Sequence, residues 1–333
     1  MNADDVARRY WYPAALRHQL DDGPVALTLL GEALVVALMG DEVVAFPDRC
    51  GHRGAALSNG EVQQAPDGTA CLVCPYHGLH LDAGGRPAHL PARPGSRLAR
   101  RLGVEPFSAT LRDDIVWVSL DSEPVGGLPE WEPHGVPDRL HFQLAPIVWN
   151  VGPTRIAENF NDLAHFATVH AGSFGDPTHP IVPEETLLPT DNGFRHWVYM
   201  HQLDRVTMDG PAVPIEVEFH YEHVMPFATE LRISYAPDRI EWIQVAFSPM
   251  TSLDDPEPAT MVFQQNVRNF DLDGDVTAWH DFQAAVNEED RVILESIRPR
   301  AIAVDGHGAD ESALAVDVFT SAYRRAWRTL LDA

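Results

Sequence analysis

The chain has 333 residues, 45% of them hydrophobic, which is long for one core, so a prior of about 150 residues per domain predicts two domains. Its 24 basic residues against 49 acidic ones give a net charge of −25, which repels phosphate backbones and anionic membrane surfaces. This composition argues against nucleic acid or a membrane as a partner; we attribute the charge to solubility, with steering of a basic redox partner as the alternative.

The N-terminus, Met1 to Arg9, is charged and lacks an apolar signal core. No apolar run approaches the ~18 residues that a membrane-spanning helix needs. Three cysteines provide no disulfide framework, which is typical of a reducing compartment. These features predict a soluble cytoplasmic protein.

The first third of the chain reads as β structure. Two apolar runs between Val25 and Phe46 predict a hairpin, and a further strand is expected from Ile115 to Leu120. The segment from Glu123 to Pro146 is dense in proline and glycine and predicts a linker. We therefore expect a small β domain over residues 1–135, a linker to about residue 146, and a second domain over residues 147–333.

Two short loops in the first domain, Cys50-Gly51-His52 and Cys74-Pro75-Tyr76-His77, each carry one cysteine and one histidine, with twenty-one residues between them. Such ligands also suit structural zinc. A Rieske [2Fe–2S] cluster, however, needs two cysteines on one iron and two histidines on the other, and two loops that each supply one of each satisfy this need. We expect Cys50, His52, Cys74 and His77 to bind an electron-relaying cluster, and Cys71 to be a buried structural thiol.

The second domain begins with a helical pattern from Thr154 to about His170, continues with alternating segments that predict an antiparallel sheet, and ends with two helices. The segments are Arg195 to Val206, Ile215 to Val224, Thr229 to Tyr235, Glu241 to Phe247 and Thr260 to Val267, and the helices are Val276 to Ile297 and Ser312 to Leu331. The predicted class is α+β.

The helical stretch from Thr154 to about His170 carries a polar face. Asn159, Asp162 and His165 are three residues apart and therefore share a face. His165 and His170 are five apart, which turns their side chains by about 140° in a regular helix. Both can bind one metal only if the helix widens or ends between them, as helices often do at functional sites.

The helix from Val276 has an acid, Asp290, on its predicted apolar stripe of Phe282, Val286, Ile293 and Ile297. Burying an unpaired carboxylate costs several kcal/mol, so Asp290 needs a partner, and a metal is a good one.

Together these residues resemble the Rieske non-heme iron oxygenases. The first loop of that family reads much like residues 50–58 and the second like residues 74–78, although Leu79 stands where the family usually carries a tryptophan. The likeness extends from Tyr10-Trp11-Tyr12-Pro13 to Tyr323-Arg324-Arg325 in the closing helix. Size and layout are most similar to members built of α subunits alone, such as the vanillate and dicamba O-demethylases.

The resemblance implies roles for the second constellation. It makes His165 and His170 iron ligands and Asp162 the acid that bridges an iron ligand and a cluster histidine, with Asn159 as a polar residue near the iron. A facial triad of two histidines and one carboxylate is usual for non-heme Fe(II) oxygenases. The family takes that carboxylate from a Glu-Asp pair, and we choose Asp290 over Glu289, which lies at the other edge of the stripe.

The resemblance also implies a fold and an activity. The fold is an all-β Rieske domain followed by a helix-grip (START-like) antiparallel-sheet catalytic domain. The activity is that of a terminal oxygenase, with monooxygenation preferred, that uses O2 to hydroxylate or O-demethylate a small aromatic substrate. N-demethylation or dihydroxylation by the same family is the alternative, and a Rieske electron carrier with a ligand-binding domain is the alternative from another class.

Partners follow from the same resemblance. The sequence has no dinucleotide fingerprint, so NAD(P)H is expected to act only through a separate reductase, with or without an intermediary ferredoxin. Family members assemble as head-to-tail trimers in which the two metals couple across a subunit boundary, and a homotrimer is therefore expected.

Overall fold

A computed structural model describes residues 2–132, 136–184, 186–204, 210–308 and 310–333. The chain forms two compact units. The N-terminal unit comprises residues 7–126 and 250–252, and the C-terminal unit comprises residues 2–6, 127–249 and 253–333. The boundary expected at residue 135 falls in the stretch 133–135, which lies outside the described residues.

The N-terminal unit is built of short antiparallel strands. They are β1 (Tyr12–Leu16), β2 (Val25–Leu29), β3 (Glu32–Met39), β4 (Glu42–Pro47), β5 (Glu61–Gln64), β6 (Ala70–Val73), β7 (His80–Leu81), β8 (Pro87–His89), β9 (Ser108–Arg112) and β10 (Ile115–Ser119). Their sheets are β2-β3-β4, β5-β6-β7-β8 and β1-β10-β9. The predicted hairpin is a three-stranded meander, because Leu30 and Gly31 take positive φ angles and make a second tight turn.

The C-terminal unit contains an eight-stranded antiparallel sheet, as the sequence predicts. Its strands are β11 (Leu140–Gln143), β12 (Ile147–Trp149), β13 (Thr186–Thr190), β14 (Gly193–Asp204), β15 (Val213–Val224), β16 (Ala228–Ala236), β17 (Arg239–Pro249) and β18 (Thr260–Arg268). The main path runs β11-β18-β17-β16-β15-β14-β13, and β12 also pairs with β18. Because β11 belongs to this sheet, the linker expected to reach residue 146 is too long. The end expected for β14, at Val206, lies outside the described residues.

The helices are α1 (Ala3–Ala7), α2 (Pro153–Phe160), α3 (Phe166–Val169), α4 (Val276–Ser296) and α5 (Val318–Asp332). Helix α4 contacts the sheet through polar groups. For example, Asn287 Nδ2 on α4 donates to Gln264 Oε1 on β18 at 2.7 Å. Helix α5 begins six residues later than Ser312, since Asp317 accepts a hydrogen bond from the Leu314 amide and holds that stretch in a turn. None of the described helices is both long and apolar enough to cross a bilayer.

Candidate functional site

The segment between α2 and α3 interrupts the continuous helix that the sequence predicts. Asn161 Nδ2 donates to the Ala157 carbonyl at 2.8 Å, and the Ala164 amide donates to Asp162 Oδ1 at 2.8 Å. Such side-chain to backbone bonds compete with helical ones and end the helix at Phe160. His165 and His170 then lie at the two ends of the short helix α3, as its N-cap and C-cap residues.

Three side chains converge beside α3. His165 Nε2 and His170 Nε2 are 3.2 Å apart, and Asp290 Oδ1 lies 3.4 Å from the first and 3.3 Å from the second. Donors in adjacent positions around a six-coordinate ion with bonds of about 2.1 Å lie about 3 Å apart. The spacing therefore fits three facial ligands of one ion, and these residues form the group of described residues whose geometry suits a metal.

The remaining atoms of these side chains are held by neighbours. His165 Nδ1 lies 3.2 Å from Asp162 Oδ2, and His170 Nδ1 lies 2.8 Å from Glu289 Oε2. Asn159 Nδ2 donates to Asp290 Oδ1 at 3.2 Å. Carboxylates on the far nitrogen are the usual means of orienting a metal-binding histidine. Glu289 thus contacts His170, whereas the sequence analysis chose Asp290 over Glu289 and gave Glu289 no role. Its position next to Asp290 in the sequence was the signal that could have identified it.

The charges around the site favour a cation. Burial disfavours the protonated imidazole of His165, but the hydrogen bonds that it donates to Asp162 and Asp290 outweigh burial and raise its pKa to about 9. Burial would raise the pKa of Asp290, yet the bonds to His165 and His170 hold it well below its usual value. Two carboxylates that stabilise a positive charge between them suit a divalent metal in the same place.

Helix α4 supplies Asp290 from a buried stripe that differs from the predicted one. The stripe contains Trp279, Gln283, Val286, Asp290 and Leu294. Ile293, expected on that face, is 45% exposed. Asp290 is buried nonetheless, at 9% exposure, because it follows Val286 by four residues.

A cavity opens beside the three side chains. Its walls are mostly aromatic and aliphatic, and include Phe160, Phe166, Phe174, Phe219, Leu231, Ile233, Ile243, Trp279, Phe282 and Val286. A smaller polar set, Gln202, Asp204, Tyr235, Glu241, Gln283 and Asn287, lines the same cavity. This lining is that of a site for a small, largely apolar molecule.

The two loops of the N-terminal unit adopt the same backbone pattern. The Cys50 amide donates to the Ala55 carbonyl at 2.8 Å and the Cys74 amide to the Leu79 carbonyl at 2.9 Å. Each cysteine carbonyl accepts in turn from the glycine four residues on, Gly54 or Gly78, whose φ angles of 71° and 68° favour glycine.

The two loops bring their four predicted ligands together. Both cysteines are buried, and burial, with the neighbouring Cys74 thiol, raises the pKa of Cys50. The rings of His52 and His77 are exposed, with centroids 4.7 Å apart. Two buried thiols beneath two exposed imidazoles fit a cluster with one buried and one solvent-facing iron. Leu79 packs in the core beneath the loops, and Cys71 is fully buried, as predicted.

The sequence matches two family models. Residues 10–106 match the Rieske [2Fe-2S] domain and residues 149–333 match the vanillate O-demethylase oxygenase C-terminal domain. Methylxanthine N1-demethylase NdmA of Pseudomonas putida is 32% identical over 99% of this chain and 90% of its own. The oxygenase component of dicamba O-demethylase from Stenotrophomonas maltophilia is 27% identical over 93% of both chains.

A solved structure agrees with these matches. NdmA of Pseudomonas putida CBB5 with caffeine superposes with a TM-score of 0.86 at 29% identity and covers 99% of this chain and 92% of that one. Since a family model spans more than half of the chain and NdmA is similar over nearly all of it, the chain belongs to the Rieske non-heme iron oxygenases, with a Rieske [2Fe–2S] domain followed by an oxygenase domain of the vanillate O-demethylase type.

Proposed function

We propose that this chain is the terminal oxygenase component of a multicomponent system that uses O2 and reductase-supplied electrons to oxidise a small aromatic substrate, with removal of an N- or O-linked methyl group as the preferred reaction. The observation that carries the proposal is the convergence of His165, His170 and Asp290 beside an apolar cavity. Relatives named as N-demethylases and an O-demethylase support the choice of reaction.

The reaction balances with two electrons from outside the chain. Methyl hydroxylation consumes one O2, two electrons and two protons and yields one water, and the hydroxymethyl product then releases formaldehyde and leaves an N–H or O–H group on the ring. When bound, iron supplies the site at which O2 is reduced, because a facial triad leaves positions open. The cavity walls hold the methyl group near that site and exclude water.

Each side chain has a role in this proposal. His165, His170 and Asp290 hold the iron, while Glu289 and Asn159 orient His170 and Asp290. Cys50, His52, Cys74 and His77 hold the cluster. Asp162 binds His165 Nδ1, and its side chain stays 33% exposed, which leaves it available to a cluster histidine of a neighbouring subunit in a homotrimer.

An electron donor is required, and an arginine-rich segment supports a docking site for it. Arg86, Arg93, Arg97, Arg100 and Arg101 are all exposed, and none forms an ion pair with a described residue. The segment adjoins both cluster loops: a Cβ on Gly51 would lie 2.6 Å from the Leu102 carbonyl oxygen, and one on Gly78 would lie 3.1 Å from the Pro91 ring. We expect an acidic reductase or ferredoxin to bind there.

A cytoplasmic location accords with this chemistry. All three cysteines are free, and cluster assembly needs reduced thiols. A cytoplasmic reductase can then draw electrons from NAD(P)H without a nucleotide site on this chain.

Metal analysis and O2 uptake test the proposal. Reconstituted wild type should contain about three irons and two sulfides per chain, whereas His165→Ala should keep about two of each. Substrate-dependent O2 uptake and formaldehyde release should be lost in His165→Ala and retained in His280→Ala, which removes a partly exposed histidine of α4 outside the cavity. Two irons in the wild type would favour the electron carrier, and full activity of His165→Ala would refute the oxygenase.

A further inference from the structure

The polar end of the cavity lies away from the proposed iron site. Gln283 precedes Asp290 by seven residues of continuous helix, about 10 Å along the α4 axis. Asn266 Nδ2 lies 3.4 Å from Gln283 Oε1 and 3.3 Å from Glu241 Oε1, so Glu241 is at the level of Gln283. A substrate whose methyl group is at the iron would present its opposite edge to Glu241.

Three side-chain donors at this end are already used. Tyr235 donates its hydroxyl proton to Glu241 Oε2 at 3.1 Å, and Asn287 donates through Nδ2 to Gln264 at 2.7 Å. Gln283 Nε2 donates to Asn287 Oδ1 at 3.4 Å. A bound molecule therefore finds few free donors there.

Acceptors, in contrast, remain available. The Oε1 atom of Gln202 is buried and has no hydrogen-bond partner among the described residues, although Gln202 is only 3% exposed. Glu241 is 5% exposed, and a carboxylate has about four lone-pair sites, of which two are used. A buried acceptor without a partner destabilises the empty site, and a donor on the ligand would remove that penalty.

Among the described residues, no arginine lines the cavity, and the sequence has no lysine. Arg239 is bound to both oxygens of Asp204, at 2.7 and 2.6 Å. Arg268 is fully buried, with its guanidinium 3.9 Å from the centroid of the Trp279 ring.

We propose that Gln202 and Glu241 select an uncharged aromatic or heteroaromatic substrate that carries an N–H or O–H donor opposite its methyl group, and that they exclude aromatic carboxylates. The inference rests on the proposed function, since it assigns the substrate class of the same cavity. A carboxylate beside Glu241 would place a second acidic group where no described arginine lines the cavity, whereas an N–H group would satisfy Gln202 Oε1 or Glu241.

Three probes of nearly equal shape separate charge from hydrogen bonding. 4-Methoxybenzamide is neutral and has a donor, 4-methoxyacetophenone is neutral and has none, and 4-methoxybenzoate is an anion. Their affinities for the iron-loaded holoenzyme with an oxidised cluster are measured anaerobically by calorimetry. We expect the amide to bind at least about tenfold more tightly than the ketone and more tightly still than the benzoate. Benzoate binding equal to or tighter than amide binding, or no amide binding at millimolar concentration, would overturn the inference.

Two variants assign the selectivity to residues. Glu241→Gln replaces an acceptor by an amide with a donor and should lower the preference for amide over benzoate at least about tenfold. Gln202→Met should bring the amide affinity towards that of the ketone. Glu230→Gln, a largely buried carboxylate on β16 outside the cavity, is the control and should keep the wild-type preference. Wild-type preferences in both cavity variants would contradict the assignment.

Turnover separates this inference from the proposed function. Amide-selective binding without O2 uptake or formaldehyde release would leave the inference standing and count against the oxygenase. Formaldehyde release from the benzoate at the rate seen with the amide would support the oxygenase and overturn the inference.

Discussion

The Nε2 atoms of His165 and His170 lie 3.2 Å apart, although five residues separate them. Each ring has its Nδ1 beside a carboxylate, Asp162 in one case and Glu289 in the other, which leaves both Nε2 atoms directed at the same point. A site whose ligands are oriented before metal binds loses little conformational freedom on binding. The orienting acids should therefore matter nearly as much as the ligands.

Glu289→Ala should lower the affinity for iron by about 10- to 100-fold, because His170 loses the partner that fixes its ring and Ser173 loses the same acceptor. Competition with a chelator, read by the iron-to-sulfide ratio, measures the change. Glu288→Ala is the matched control, since Glu288 is an exposed neighbour paired with Arg291. Equal iron retention in the two variants would contradict the role of Glu289.

A second prediction concerns the ion pair that holds α2 in place. Arg324 on α5 donates to both carboxylate oxygens of Glu158, with Nη2 to Oε2 at 2.8 Å, and Glu158 is buried. Removing one partner of a buried pair leaves an uncompensated charge, so Arg324→Met should destabilise the C-terminal unit by about 3 kcal/mol. Thermal unfolding measures the loss, and Arg325→Met, at an exposed neighbouring position, should cost far less. A similar loss in both variants would mean that the pair contributes little.

The β-sheet of the C-terminal unit was predictable because its strands carry local signals. β15 alternates buried and half-buried residues from Val217 to Val224, and its predicted start was two residues late. The break after Phe160 was not predictable, since Asn161 also donates to Thr229, sixty-eight residues away. Local pattern does not identify such tertiary partners.

The residues of the candidate site were also predictable only in part. The helical pattern and the resemblance led to His165, His170 and Asp290, which the structure brings together. The role of Glu289 was not predictable in this way. A helical pattern shows which residues share a face, but it does not show that the distant His170 contacts the Glu289 side chain. The cavity walls were not predictable either, because a period of two does not tell which face of the sheet holds the cavity. Of five aromatic residues on the strands, only Phe219 lines it; the others are Trp197, Trp242, Phe247 and Phe263.

The net charge of the whole chain does not describe the charge beside the cluster loops. A net charge of −25 suggests a basic partner, yet the five exposed arginines between residues 86 and 101 make the surface beside these loops positive. Their clustering was visible in the sequence, but its position next to both loops required the fold.

Charge reversal in this segment should slow electron delivery. Arg100→Glu with Arg101→Glu should lower the rate of cluster reduction by an acidic plant-type [2Fe–2S] ferredoxin by about tenfold or more at low salt, and the difference should shrink as salt screens the attraction. Stopped-flow absorbance of the cluster measures the rate. Reduction by dithionite should be unaffected, and Arg17→Glu, elsewhere in the same unit, is the control. A salt-independent effect would point to damage of the fold rather than to docking.

The buried His223 predicts how stability depends on pH. Burial, and then the charge of His196, lower the pKa of His223 to about 3, while its Nδ1 contacts the Thr229 hydroxyl at 2.8 Å. The other titratable group packed against it is Tyr323 on α5. Below about pH 6.5, His223 binds a proton in the unfolded chain but not in the folded chain. Its contribution to the free energy of unfolding is therefore complete above that pH and falls as the pH drops towards 3.

His223→Gln should therefore be less stable near pH 7.5 but lose less stability on acidification. The difference in slope should approach about 1.4 kcal/mol per pH unit between roughly pH 4.5 and 6, since one proton is involved. Urea unfolding followed by tryptophan fluorescence measures both values, with His280→Gln, at a partly exposed histidine of the same unit, as the control. The prediction requires the two slopes to differ, because burial keeps His223 neutral in the folded chain. Parallel pH profiles for wild type and His223→Gln would show that His223 is not the source of the acid dependence.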